Sequence, residues 1–517
     1  MHRPLISKTA GRLNYNRMVE VLFVVVAAGV CLGMMFFPAI SDDLRSMMPY
    51  YDYLKGTSDD LMHHFRIGID VWHRVDYGRL TNFLSINTSW LPRWIPALIS
   101  GFAVWAIMHY AARIGRFGSS PFVATFFVSI FLVIYPWVDQ LYLIAFQINY
   151  IWSTALSIWI FYRILRDEGE KVNVVTCIVC LFMGFWHESF AAGVMVCVVS
   201  LIILYKRFRK IKYCVYAFLL LPGIYFLTYT RFDTFVGFYF QQRINILLFF
   251  SVPFIIFLIL CGILVLYRKK IKNDFVLSPA ITGCVVLGLT GTAGMLMFPT
   301  GPRTGALGIL ASLTGICGLL HVLIRTSDLK RLVRTIFTAV FTIFIFLHIL
   351  FVDIECFRAM KATDRAISLY RENPSRTHFV EMTLRSDAPL ICFQKPYYDW
   401  FAHSSTSKVF MDFYGIDEKP FRIAPQQLEK LNLADTISIR GSAGLVKYNG
   451  YYLGPVISDE PTSKWLEFIH KDKHGFGEYY ILPLDNGSGL AWYYPNFSNF
   501  FKDINPEDVT VNILLNL

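Results

Sequence analysis

Eleven long apolar runs occupy the first two-thirds of the 517-residue chain, and they constrain the fold more than any other feature. They lie near residues 18–40, 94–112, 121–137, 146–162, 172–186, 189–205, 213–230, 246–267, 275–298, 305–324 and 335–352. A helix needs about 20 predominantly apolar residues to cross a bilayer. Hydrophobic residues make up 55% of the chain and charged residues only 16%, against about 25% charged in soluble domains. That balance excludes a soluble enzyme, a disordered chain and a disulfide scaffold. The expected fold is an α-helical polytopic membrane protein with about 11 transmembrane helices. The first run is too long for a signal-peptide core and lacks a small-x-small cleavage site, so it reads as an uncleaved anchor.

The net charge of +11 is unevenly spread. Residues 1–352 carry +15 and residues 353–517 carry −4. Cations in the apolar part alternate between loops. One set of loops holds Arg113 and Arg116, then Arg163, Arg166 and Lys171, then Lys206 to Lys212, and so on. The other set is poorer, with Arg45, Lys55, Arg66, Arg74, Arg79, Arg93, Arg231, Arg243 and Arg303. Cytoplasmic loops carry the excess of Lys and Arg. This predicts a cytoplasmic N-terminus and an extracytoplasmic C-terminal part, and it makes the basic excess a topology signal rather than a mark of nucleic-acid binding.

Between Lys171 and Lys206 the chain is mostly apolar, long for one helix and short for two. Cations at both ends require it to cross and return, which puts His187 and Glu188 at the tip of a tight hairpin. Most cysteines lie in the runs and read as packing, including Cys177-x-x-Cys180. Cys356 and Cys392 lie outside, where they could pair or stay free thiols.

Ionisable residues are sparse inside the runs and crowd into the poorly cationic loops. The first of these, residues 41–93, opens on Ser41-Asp42-Asp43 and then predicts an amphipathic helix from Asp59 to Leu80, ending in Asp76-Tyr77-Gly78-Arg79. His63, His64, Asp70 and His73 are loosely spaced for a metal cluster and suit a solvated face better; no metal or other cofactor is required, although Asp42-Asp43 could hold a divalent ion. Asp42 and Asp43 suit a helix N-cap, a metal ligand or a general base. Glu188 suits either a helix cap or a site carboxylate. Gln147-Ile148-Asn149-Tyr150-Ile151-Trp152 opens the fourth run, and Pro302-Arg303 lies between the ninth and tenth. Carboxylates, amides and separated arginines on one surface suit a substrate with a phosphate, a sugar and a lipid tail.

The acidic pair after the first run is similar to the acidic motif of multi-span bacterial glycosyltransferases of the GT-C type. More narrowly, the chain resembles a GT-C-like bacterial family of polytopic proteins known by a domain-of-unknown-function label. The matching pieces are Asp42-Asp43, Trp72 with Gly78-Arg79, Asn149-Tyr150-x-Trp152, Gly184-x-x-His187-Glu188 and Pro302-Arg303. Leu44 stands where the family's acidic motif often has Tyr. The resemblance covers residues 18–352. It implies a membrane glycosyltransferase of the bacterial inner membrane, taking a sugar from a polyprenyl-phosphate donor to a surface glycan or lipid-linked acceptor outside the cytoplasm, with inversion. Asp42 or Asp43 is then the expected base, with Glu188 in the catalytic group. Arg79, Arg231, Arg243 and Arg303 are the expected partners of lipid phosphate, and His187, Asn149, Tyr150 and Trp152 are further substrate contacts. A flippase or transporter of lipid-linked sugars, or a polysaccharide polymerase or ligase, are the alternatives.

Residues 1–353 form the expected transmembrane domain and residues 354–517 a separate extracytoplasmic α+β domain with ordinary charge. Strand-like runs lie at Pro389–Phe393, Lys408–Tyr414, Leu445–Tyr452 and Tyr479–Leu482, with a helical run at Gln426–Leu433. Asn449-Gly450 suits a tight hairpin turn. The aromatic residues there serve packing or stack on sugar rings.

Overall fold

A computed structural model describes residues 16–37, 39, 42–75, 79–137, 142–167, 169–225, 244–266, 278–297, 302–326 and 331–372, and seven strands between residues 437 and 514. The helices are α1 (Arg17–Phe36), α2 (Asp42–Met47), α3 (Tyr51–Leu54), α4 (Leu61–Val75), α5 (Leu80–Asn87), α6 (Trp94–Ile114) and α7 (Pro121–Ile134). Then follow α8 (Ile144–Arg166), α9 (Val174–Trp186), α10 (Glu188–Leu204), α11 (Ile211–Leu219), α12 (Ile244–Leu266), α13 (Pro279–Met297), α14 (Ala306–Thr326) and α15 (Arg331–Glu372).

Five segments are long and apolar enough to cross a membrane: α1, α6, α8, Arg303–Ile324 and Arg331–Arg358. Six shorter apolar helices coincide with the other six runs of the sequence. The shortest follow directly from local sequence. Between Lys171 and Lys206 the chain divides into α9 of 13 residues and α10 of 17. Asn173 caps α9 by accepting from Thr176 N. His187, at φ −152° and ψ 118°, is the single extended residue that separates the two helices. At 1.5 Å per residue α9 covers only about 20 Å, so the hairpin tip falls short of a full bilayer width.

Contacts join alternate helix ends, as an up-and-down bundle requires. At one end Asn16 N donates to Gly118 O (3.1 Å), Arg113 Nη1 to the Tyr162 hydroxyl (3.3 Å), and Lys212 Nζ meets Asp167 Oδ1 at 2.7 Å. At the opposite end Arg93 Nε donates to Met34 O (3.1 Å) and the Tyr135 hydroxyl to Thr154 Oγ1 (2.9 Å). Helix α13 packs on α14 and on α10, and α1 packs on α6. The α13–α14 contact is close because a Cβ at Gly308 would stand 2.8 Å from the Gly291 Cα.

The chain divides into two compact units, residues 1–360 with 384–396, and residues 361–383 with 397–517. The second contains an antiparallel sheet of strands β1 (Ile437–Ile439), β2 (Ser442–Tyr448), β3 (Tyr451–Pro455), β4 (Lys464–His470), β5 (Lys473–Pro483), β6 (Gly489–Pro495) and β7 (Thr510–Leu514), in the order β1-β2-β3-β6-β5-β4-β7. Tyr448 pairs with Tyr451 on either side of Asn449-Gly450. The runs at 389–393, 408–414 and 426–433 lie outside the described residues, as does Cys392. Cys356 is a buried thiol with no disulfide.

Candidate functional site

The segment that opens α8 is the hub of the site. Its backbone is π-helical over Gln147–Trp152, the same residues that stand out in the sequence. Single π-turns inside helices are rare and favour functional positions. Here side chains take over backbone carbonyls. Asn149 Nδ2 donates to Ala145 O (2.7 Å), the Ser153 hydroxyl donates to Asn149 O, and Thr154 Oγ1 donates to Tyr150 O (2.7 Å).

Asp43 fixes the start of this segment. Its Oδ1 accepts from Ala145 N at 3.0 Å and its Oδ2 lies 3.4 Å from Arg93 Nη2. Asp43 is only 3% exposed, so the burial of its charge is offset by the guanidinium and by the amide at a helix start. It therefore caps a helix, but not its own α2: it ties α2 to α6 and α8. Asp42 opens α2, and its side chain lies outside the described residues.

Arg303 meets the next residue of the same segment. It lies in the short 3₁₀ turn Pro302–Gly305 before α14, with its Cζ 4.3 Å from the Phe146 ring centroid and 5.5 Å from that of Tyr150. Asp43 and Arg303 thus engage consecutive residues, Ala145 and Phe146. Tyr150 continues the path. Its ring centroid is 5.3 Å from that of His187, and His187 is 5.0 Å from Phe190 in an edge-to-face arrangement.

Glu188 closes the set. Its carboxylate forms an ion pair with Arg79, and its other oxygen lies 3.7 Å from His187 Nδ1. Both side chains are largely buried, Arg79 at 15% exposure and Glu188 at 8%. Arg79 is positioned from behind by Trp72, whose indole N–H donates to Arg79 O at 2.7 Å. The hairpin tip can reach α11 because Gly184 has no side chain: a Cβ there would stand 2.7 Å from Leu219 O.

Three buried polar atoms near this hub matter for recognition. Asn149 Oδ1 and Trp186 Nε1 have no hydrogen-bond partner, although their residues are 7% and 3% exposed. Trp186 stacks with Trp152 at 6.3 Å, and the Trp152 indole donates to Ser100 Oγ at 2.8 Å, which donates in turn to Gln147 Oε1 at 2.7 Å. Thr81 Oγ1, in the first turn of α5 two residues beyond Arg79, is the third such atom. A buried polar atom without a partner costs about 1–3 kcal/mol, so such atoms gathered at one end of a bundle point to a ligand that satisfies them.

The structure therefore brings Asp43, Arg79, Asn149, Tyr150, Trp152, His187, Glu188 and Arg303 to one connected region. Arg231 and Arg243 lie outside the described residues. Among the described residues no three His, Cys, Asp or Glu side chains converge. His64 is buried with Nδ1 2.9 Å from Pro49 O. Burial pushes the neighbouring Tyr50 hydroxyl up to about 12, and it donates to Asn87 Oδ1 at 2.7 Å. Sequence reasoning missed Arg93, Ser100, Phe146 and Trp186. Arg93, Ser100 and Phe146 sit in no recognisable motif, and Trp186 fills an unspecified position of the Gly184-x-x-His187-Glu188 motif; each enters only through a contact across helices.

What fold and site define together is a class: a helical protein of membrane type with an acid–guanidinium–aromatic site at one end of its bundle. No protein-family model, no curated protein and no solved structure matches the chain.

Proposed function

We propose that the protein is a GT-C-like membrane glycosyltransferase with eleven spans, acting on the outer side of a bacterial inner membrane, with the strand-bearing unit outside. The donor is a sugar on a polyprenyl phosphate and the acceptor a glycan or lipid-linked hydroxyl. The observation that carries this reading is the convergence of Arg79–Glu188 and Arg303 on a π-helical segment that leaves the Asn149 amide oxygen unsatisfied.

In this reading a carboxylate takes the acceptor proton as the hydroxyl oxygen attacks the anomeric carbon. The bond from that carbon to the phosphate oxygen breaks, configuration inverts, and the polyprenyl phosphate leaves with the electron pair. Both oxygens of Asp43 are engaged, by Ala145 N and Arg93. Asp43 therefore serves as a positioning group and Asp42 as the base. Arg303, planar and stacked on two rings, meets the developing charge on the leaving phosphate. Arg79 is held in register by Glu188 and supplies a second guanidinium. Asn149 Oδ1 and Trp186 Nε1 accept from and donate to sugar hydroxyls.

The test is release of polyprenyl phosphate from a radiolabelled polyprenyl-phosphate sugar by the full chain in lipid nanodiscs, with and without the D42N change. Binding and acceptor-dependent release that vanish in D42N support the reading. A wild-type protein that binds no polyprenyl-phosphate sugar, whatever its sugar, sinks it.

A further inference from the structure

In the second unit the strand register sorts the residues of the sheet onto two faces of different chemistry. Paired residues in neighbouring strands share a face, and successive residues along a strand alternate between faces. One face carries Leu466 beside Ile513, Phe468 beside Val511 and Ile481 beside Ala491. The three lysines of the described strands belong to this face. Lys464 and Lys473 open β4 and β5, and Lys447 stands one residue from the end of β2.

The other face is organised around acids and rings. Tyr480 pairs with Trp492. Two residues along β5, Glu478 pairs with Tyr494 on one side and Trp465 on the other. Two residues further, Phe476 pairs with Glu467, which pairs in turn with Asn512. Glu478 and Glu467 are the central residues of β5 and β4, not residues of a turn or a strand end. Neighbouring strands lie about 5 Å apart and alternate residues about 7 Å apart. Three such rows across β6, β5, β4 and β7 therefore cover a patch roughly 14 Å on each side.

An antiparallel sheet with one packed face alternates apolar with polar positions. Here the aliphatic pairs occupy one face and the mid-strand carboxylates the other. What departs from that rule is the company of the carboxylates, which is Trp and Tyr. Large amphipathic rings on the polar side of a sheet are unneeded for packing and mark a contact surface.

We propose that this face, centred on Trp465, Glu478, Tyr494 and Trp492, is a binding face for a glycan of uncharged sugars. A pyranose offers C–H groups on its ring face, which pack on aromatic rings, and hydroxyls around its edge, which donate to carboxylate and amide oxygens. Two acids on the face, with the lysines on the opposite one, repel acidic sugars and other polyanions. A patch of this size takes a short oligosaccharide rather than one sugar. The inference does not rest on the transfer reaction, because binding at this face needs neither donor lipid nor base.

The full chain in lipid nanodiscs, without donor lipid, is titrated with hexasaccharides of glucose, mannose, galactose, N-acetylglucosamine and galacturonic acid, and binding is followed by tryptophan fluorescence and native mass spectrometry. At least one uncharged hexasaccharide is expected to bind more tightly than the galacturonate. Trp465→Ala and Trp492→Ala are each expected to weaken that binding about tenfold. Glu478→Gln keeps the shape of the strand and is expected to weaken it several-fold, so the face is tested even where a ring deletion unfolds the sheet. Lys447→Gln, on the opposite face, is expected to change nothing. Failure of every uncharged hexasaccharide to bind, preference for the galacturonate, or unchanged affinity in Glu478→Gln overturns the face. A chain that binds a hexasaccharide but no polyprenyl-phosphate sugar supports this face and sinks the transfer reaction alone.

Discussion

The two ends of the helical bundle use arginine in opposite ways. At the end that holds the candidate site, three arginines are matched and sheltered: Arg79 with Glu188, Arg93 with Asp43, Arg303 over Phe146 and Tyr150. At the other end Arg116, Arg166 and Arg207 are exposed. The matched end has geometry fixed by partners inside the protein, which suits chemistry at a defined point. The other end keeps its guanidiniums at the surface, held by hydroxyl, carbonyl and ring contacts such as Arg113 to Tyr162, Arg207 to Leu165 O and Arg166 over Tyr162. Counting cations along the chain treats the two ends as one signal of opposite sign; only their partners distinguish the jobs.

Substitutions at the matched end can break this contrast. The largest effect is expected for Asp42→Asn, which removes the proposed base and lowers transfer by about 10²–10⁴-fold while leaving the melting temperature unchanged. A stability loss equal to that of Asp43→Asn would instead make Asp42 a structural acid. Arg79→Ala leaves the buried Glu188 carboxylate without its guanidinium and is expected to destabilise the protein by about 3–5 kcal/mol. Adding Glu188→Gln restores part of that loss, and a double-mutant cycle in denaturant melts measures the coupling.

Smaller effects sharpen the comparison. Asp43→Asn weakens the contact with Arg93 and is expected to cost about 1–3 kcal/mol of stability, read in the same melts. Arg303→Lys keeps the charge but loses the planar stack on Phe146 and Tyr150, worth about 0.5–2 kcal/mol, and is expected to raise the donor KM several-fold. At the opposite end Arg116→Gly relieves a left-handed backbone at φ 57° and is expected to stabilise the protein by about 1 kcal/mol. A loss of stability there would show that Arg116 holds the loop by its side chain.

Much of the fold was legible because its causes are local. The hairpin at His187-Glu188 follows from a stretch too short for two full crossings with cations at both ends, and it divides at His187. The hub at Asn149-Tyr150-x-Trp152 was visible as a polar opening to an apolar run, but its π-helical backbone was not, because that depends on side chains of Asn149, Ser153 and Thr154 bonding to carbonyls one turn back. Asp42 and Asp43 look interchangeable as a pair of letters. They separate once Arg93 and Ala145 N claim one of them.

Hydrophobic transfer depends on composition over a window of about 20 residues, so the sequence alone determined where the apolar helices lie and which connections carry surplus cations. Ion pairs and ring contacts depend on distances between residues far apart in the chain, and no window contains them. Tertiary structure therefore decided that Arg79 answers Glu188, that Arg93 answers Asp43, and that Arg303 lies over Phe146. Ring stacking acts across a few ångströms and a screened ion pair within about 10 Å, and folding alone brings these groups that close.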